Sequence, residues 1–201
     1  MKNIVFGLLA LVGFSATLSS CQDKSRMPAP AFKSMPVIFP VLTPGKNFIN
    51  FDSVRAANVP RRRRQEFEFK FSPTEQRDLK LEAVEVYKSY SRVIGTAPVL
   101  GPRVLVGTYR TFPVTIKLAY PELLAGLQRY NGETLNPVIP VANPDGINNL
   151  IAIGDAVVFT FEYIAEGGQR IILTPLNAVG APTGTFTNAA YTATAVIRRA
   201  Q

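Results

Sequence analysis

Few kinds of side chain in this sequence are able to do chemistry. The 201 residues include no His, no Trp and a single Cys. That composition excludes a His/Cys zinc site, a Ser-His-Asp triad, a Cys-His dyad and a disulfide framework. Four consecutive guanidinium groups, Arg61, Arg62, Arg63 and Arg64, offer an anion-contacting patch. On an extended segment they point both ways, and the alternative is a solvated loop whose charges keep a strand edge from pairing. The seven Tyr can stack on a sugar ring and also hydrogen-bond it. Tyr87 and Tyr90, read as lying near one strand end, and Tyr109 with Arg110 near another, are the candidate ligand contacts. The alternative for each Tyr is packing on a sheet face. Glu66 and Glu68 would share one strand face, about 7 Å apart. Lys70 continues their row, nothing implies a concavity, and glycosidase-like acid–base work is not expected there. Asp155, after Gly154, reads as a turn cap. Asn143, Asp145 and Asn148 supply oxygens at a spacing that fits no EF-hand calcium loop. No catalytic residue, metal or cofactor is expected.

The N-terminus carries a more specific signal. Lys2 precedes an apolar run from Ile4 to Leu18, which has the length of a signal-peptide core and is short for a membrane span. Leu18-Ser19-Ser20-Cys21 follows: an aliphatic residue, two small ones and the sole Cys. This tetrapeptide resembles the lipobox of bacterial lipoproteins. The resemblance implies that residues 1–20 are a signal peptide, that the Cys21 sulfur takes a diacylglyceryl group, and that the new amine is acylated after cleavage. Small side chains let a peptidase approach the backbone, and several acyl chains anchor stably at about 0.8 kcal/mol per buried CH₂. The alternative is a buried structural Cys behind an ordinary secretory signal. Gln22-Asp23-Lys24 follow without a stop-transfer run, which argues against an uncleaved anchor. Cleavage removes only Lys2 among charged residues, so the net charge falls from +8 to +7. A basic surface suits lipopolysaccharide, acidic glycans or a membrane face. Nucleic acid is not an expected partner of an exported chain.

These features need elements to position them. Pro28, Pro30, Pro36, Pro40 and Pro44 punctuate residues 21–46, read as a Pro-rich tether. Its apolar part, 37–43, is read as lying against the domain as an edge segment. From residue 47 the pattern is all-β. Glu66-Phe67-Glu68-Phe69-Lys70-Phe71 alternates strictly, the signature of a half-buried strand. Alternation from Leu79 to Lys88 slips by one residue at Ala83, which predicts a β-bulge or a turn. Further strands are read over 48–54, 103–109, 114–119, 156–164, 170–174 and 191–197. Gly167-Gly168 suits a two-residue hairpin turn with positive φ. Pro121 to Leu127 reads as one short helix, and Asn143 to Gly146 as a turn. Seven or eight strands over 47–201 predict a single antiparallel β-sandwich, immunoglobulin- or fibronectin-III-like, with one short helix.

The order of these pieces carries a second resemblance. It runs from the Phe strand (66–71) through Leu81-Glu82-Ala83-Val84-Glu85-Val86-Tyr87, Thr111-Phe112-Pro113 and Glu122-Leu123-Leu124. Gly154-Asp155, Phe159, Phe161 and a Gly-Gly-Gln-Arg hairpin at 167–170 complete it. Over about residues 47–177 the chain is similar to small β-sandwich lipoproteins of Bacteroidota of the SusE-like accessory type, encoded beside SusC/SusD nutrient-uptake pairs. The resemblance implies a lipid-anchored outer-membrane protein that binds glycan or another polymer, or a SusC/SusD-like partner. The alternative is a structural, adhesive or protein–protein scaffold with no small ligand. Glycan-binding members present exposed Trp, and this chain has none; Asp23 alone is acidic just after Cys21. The side of the membrane is therefore left open. Asp52-Ser53-Val54 also resembles the three-residue O-glycosylation sequon of Bacteroidota.

Overall fold

The computed structural model describes residues 39–54, 60, 64–72, 80–95, 97–142, 150–174, 176–177 and 191–200. All belong to the second of two compact units, Ser34–Gln201. Residues 1–20, read from the sequence as a signal peptide, and Cys21 lie outside the described residues, as do Arg61 to Arg63 and the expected turn at 143–146.

The alternating Phe strand organises the smaller sheet. Strand β3, Glu66–Phe71, buries Phe67, Phe69 and Phe71 completely and turns its charged residues outward. It runs antiparallel between β1 (Pro40–Leu42) and β7 (Val114–Ala119). Pro40 sits on the edge strand, where a missing N–H costs no ladder bond.

The larger sheet has seven strands. Its path is β2 (Phe48–Asn50), β14 (Ala193–Arg198), β12 (Ala156–Ala165), β4 (Leu81–Ile94) and β5 (Ala97–Leu100). Strand β13 (Gln169–Ile172) continues the β14 side of β12, and β6 (Val104–Tyr109) pairs with β4. Every pairing is antiparallel except β2 with β14, where Phe48 opposes Val196 in parallel register. The described residues therefore form an all-β, two-sheet, sandwich-like fold. Two small ribbons border it: antiparallel β8 (Gln128–Asn131) with β9 (Thr134–Pro137), and parallel β10 (Ile139–Ala142) with β11 (Leu150–Ile151).

Aromatic side chains join the two layers. Phe67 stacks on Phe159 with centroids 5.2 Å apart, and Phe71 meets Phe161 edge-on at 4.6 Å. Such pairs add about 0.5–1.5 kcal/mol beyond area burial. Val84, Val86 and Tyr90 of β4 and Ala193, Ala195 and Ile197 of β14 extend the same inner layer.

Several sequence expectations take a different form. The run 48–54 is a three-residue strand and then a 3-10 turn, Phe51–Val54, because Phe51 and Val54 both turn into the core. Asn50 Oδ1 accepts the Asp52 N–H at the junction. The slip near Ala83 is a bulge, not a turn: Ile164 opposes Ala83 and Ala165 opposes Leu81, leaving Glu82 extra. Tyr87 and Tyr90 fall inside a 14-residue strand rather than near its end. The Gly-Gly hairpin spans three residues, Glu166–Gly168, with Gly167 and Gly168 at φ +80° and +76°. The short helix, α1, covers Tyr120–Leu124; the Ala119 N–H donates to the Glu122 carboxylate, and Gly126 at φ +74° follows its end. Short strands β5, β8, β9, β10 and β11 raise the number beyond seven or eight.

Candidate functional site

The outward face of the larger sheet holds a compact charged cluster. Cross-strand register sets Glu85 of β4 directly opposite Glu162 of β12. Like charges in that position repel, so the arrangement requires cations. Arg170 of β13 supplies one: its Nη1 reaches Glu85 Oε2 and Glu162 Oε2, each at 2.7 Å, and its Nη2 reaches Glu85 Oε1 at 3.0 Å. Arg103, just before β6, donates to Glu162 Oε1 from the other side. Its guanidinium also lies 4.0 Å from the centroid of the Tyr87 ring. The circuit closes as Tyr87 Oη donates to Glu85 Oε2 at 2.7 Å.

Burial differs across the cluster, with Glu162 enclosed and Arg170 half exposed. Glu162 is only 3% exposed and therefore depends on both arginines. Arg170, beside Tyr87, holds the Glu85 carboxyl below its ordinary range. Burial first, and the bond to Glu85 second, push the Tyr87 phenol up. Glu85 is thus held ionised and Tyr87 protonated, a state that binds and orients but does not deliver a carboxylic proton. Beside Tyr87 across the strands lies Thr160, and two residues along β4 on the same face is Ser89. Both hydroxyls are buried with no hydrogen-bond partner among the described residues. Aliphatic groups flank the cluster: Leu105, opposite Tyr87 on β6, is 51% exposed, and Ile172, opposite Glu162 on β13, is 48% exposed.

The candidate residues from the sequence are dispersed. Tyr87 belongs to this outward cluster. Tyr90 points the other way, fully buried, with its Oη 2.6 Å from Asp155 Oδ2. Tyr109 pairs with Val84 on the inner side and packs half-buried against the core, while Arg110 beside it is exposed. Arg64 is exposed in a turn before β3. Asp155 does cap its turn, accepting the Ala152 N–H at 2.8 Å, and also receives Tyr90. Glu66 and Glu68 are tied to Lys46, with Lys117 on Glu66 and Thr43 on Glu68. These cations and donors lower both carboxyls. Asp52 is near Arg199 at 4.0 Å, with Val54 of the same tripeptide buried. Asn143, Asp145 and Asn148 lie outside the described residues. No cluster of three or more potential metal-ligating residues occurs among the described residues.

Sequence reasoning missed Arg103, Glu162 and Arg170. One signal was available: Glu162 is the single charge in the ten-residue run of β12. It also missed Lys88, which faces inward opposite Phe159 and donates its Nζ to the Glu122 carbonyl. Burial lowers that amine, with Glu122 opposing. Comparison with known proteins adds no assignment to this geometry: no family model, no curated protein and no solved structure matches the chain.

Proposed function

We propose that this is a lipid-anchored outer-membrane protein, acylated at Cys21, whose sandwich is a non-enzymatic binding module. The outward face around Tyr87 meets a glycan or other polymer, or a SusC/SusD-like partner. The observation that carries the reading is the locked Glu85–Tyr87–Arg103–Glu162–Arg170 cluster between exposed Leu105 and Ile172. Fixed donors and an aromatic flanked by aliphatic groups form a preorganised surface, which lowers the ordering cost of binding. The lipobox-like tetrapeptide and the apolar leader support the anchor. The order β1-β3-β7 facing β2-β14-β12-β4, with an N-terminal strand parallel to the last strand, supports an immunoglobulin-like topology for the sandwich.

A pull-down from solubilised membranes and a glycan array test the module, each run with the native protein and with Arg103→Ala. Capture by the native chain and its loss in the variant are expected; silence in both assays overturns the binding claim. Protease shaving of intact cells reads which side of the membrane the domain faces. A scaffold role without small ligand is the second reading, favoured by exposed Leu105 and Ile172. It predicts capture of a protein together with a silent glycan array.

A further inference from the structure

We propose that the tip of the β4–β5 hairpin is a second interaction surface, an apolar finger beside arginines that enters an anionic phospholipid layer. Strand β4 outruns its neighbours. Its last residue opposite β12 is Ser91, facing Ala156, and its pairing with β6 ends at Lys88. Beyond Ser91, among the described residues, the ribbon pairs only with itself: Val93 opposes Pro98 and Ile94 opposes Ala97, with Gly95 in the turn at φ +65°. Two directly opposed pairs at successive positions thus place four apolar residues on one tip. All four are exposed, Val93 at 52% and Ile94 at 38%. Register brings further groups to the same end of the sheet. Val196 of β14 also opposes Ala156, so Arg198 stands two residues past that level, as Val93 does. The width of β12 separates the two, about 10 Å. Between them lies Ile153, 52% exposed, in the Ala152–Asp155 turn that leads into β12. The Gly154 N–H donates to the Ile197 carbonyl and holds that turn beside Arg198.

Charge and shape select the occupant. Arg198 and Arg199 are exposed, and Arg198 is fixed over the Phe48 ring, 4.5 Å from its centroid. Arg92 lies at the base of the hairpin. Three carboxylates oppose them: Asp52, 4.0 Å from Arg199; Asp155, buried against Tyr90; and Glu122 on α1, which accepts the Ala119 N–H. The hairpin itself, residues 92–99, contains no Asp or Glu. This end of the sheet therefore sets exposed aliphatic groups beside guanidiniums, whose planar fork matches phosphate oxygens. Apolar burial and cationic attraction add when such a surface meets anionic lipid. A narrow convex tip enters fluid lipid as it stands, whereas a protein partner would need a cleft shaped to receive it. The inference depends neither on acylation of Cys21 nor on the surface around Tyr87.

Because the chain contains no Trp, one introduced Trp reports its own surroundings. Val93→Trp and Leu105→Trp are compared in the full chain. Each is placed with phosphatidylcholine vesicles, and with vesicles of phosphatidylcholine and phosphatidylglycerol, with and without brominated acyl chains. Both reporters share whatever anchor the chain carries, so the difference between them reads the hairpin alone. Val93→Trp should shift to the blue and be quenched by brominated lipid when phosphatidylglycerol is present, while Leu105→Trp on β6 should do neither. Arg198→Gln and Arg199→Gln, added to Val93→Trp, should reduce insertion about fivefold per arginine removed. A silent Val93→Trp, equal behaviour of the two reporters, or quenching indifferent to phosphatidylglycerol and to both arginines overturns the proposal. Shielding of Val93→Trp in native envelopes but not in vesicles also overturns it, in favour of a protein occupant. Ile94→Trp is the second reporter if Val93→Trp folds poorly.

Discussion

Tyr90 and Asp155 form a closed pair inside the sandwich: the phenol donates to a carboxylate that is itself 2% exposed, at 2.6 Å. Burial pushes both groups up, the Tyr90 phenol well above its ordinary value and the Asp155 carboxyl above 3.8. The Ala152 N–H shares the same carboxylate oxygen, so one acceptor fixes the turn before β12 and the interior of β4 together.

Tyr90→Phe removes the donor and leaves a buried carboxylate with fewer partners. The expected loss of stability is about 1–3 kcal/mol, the range for stranding a buried polar group. Urea denaturation at neutral pH measures it, and an unchanged midpoint contradicts the pairing.

Glu162→Ala strips Arg103 and Arg170 of their shared acceptor and leaves Glu85 to Arg170 and Tyr87. A loss of about 2 kcal/mol is expected for a group this buried. Glu66→Ala, on an exposed and solvent-screened ion pair, should change stability far less. Equal effects of the two in thermal unfolding would sink the distinction.

The pH dependence follows from Glu85. Its folded carboxyl titrates below the ordinary 4.5, with Arg170 the largest cause and Tyr87 the next. Above 4.5 its contribution is complete. As pH falls through 4.5 the unfolded chain takes up the proton first, so stability declines until the folded carboxyl is protonated as well. Asp155 acts with the opposite sign above 3.8, since its folded form holds the proton longer. Glu85→Gln should therefore flatten the acid limb of a stability profile; a limb of unchanged slope speaks against the Arg170 pairing.

Two glycines should respond in opposite degree. A Cβ on Gly101 would overlap the backbone carbonyl of Gln128, whereas one on Gly95, at φ +65°, meets open space. Gly95→Ala is expected to cost about 1 kcal/mol through backbone strain alone. Gly101→Ala should cost more than about 3 kcal/mol or abolish soluble expression, since β8 must separate from β4 and β5. Comparable melting temperatures for the two variants would refute the close approach.

Strict two-residue alternation made β3 and β7 readable to the residue, and the single phase slip, read at Ala83 as a bulge or a turn, lies one residue from the bulge at Glu82. Strands β5, β8 and β9 lacked that signal, being four residues each and rich in residues common in turns. The 3-10 turn at 51–54 was hidden because Phe51 and Val54 also suit a strand; only the core around them decides. The candidate site was less legible. Tyr87 and Tyr90 share a strand, yet odd spacing sends one outward with Glu85 and one inward with Val84 and Val86, so they cannot form one ligand contact. Glu85 and Glu162 become neighbours only through the register of β4 with β12, and Arg170 completes the set from a third strand. Such long-range pairing is absent from local periodicity.

The parallel join of β2 to β14 has a consequence for biosynthesis. Phe48 waits for Val196, so the larger sheet cannot close while the ribosome is still making the intervening polypeptide. Closure across so long a loop is slow, which leaves the nascent polypeptide without its complete larger sheet until synthesis has passed Val196.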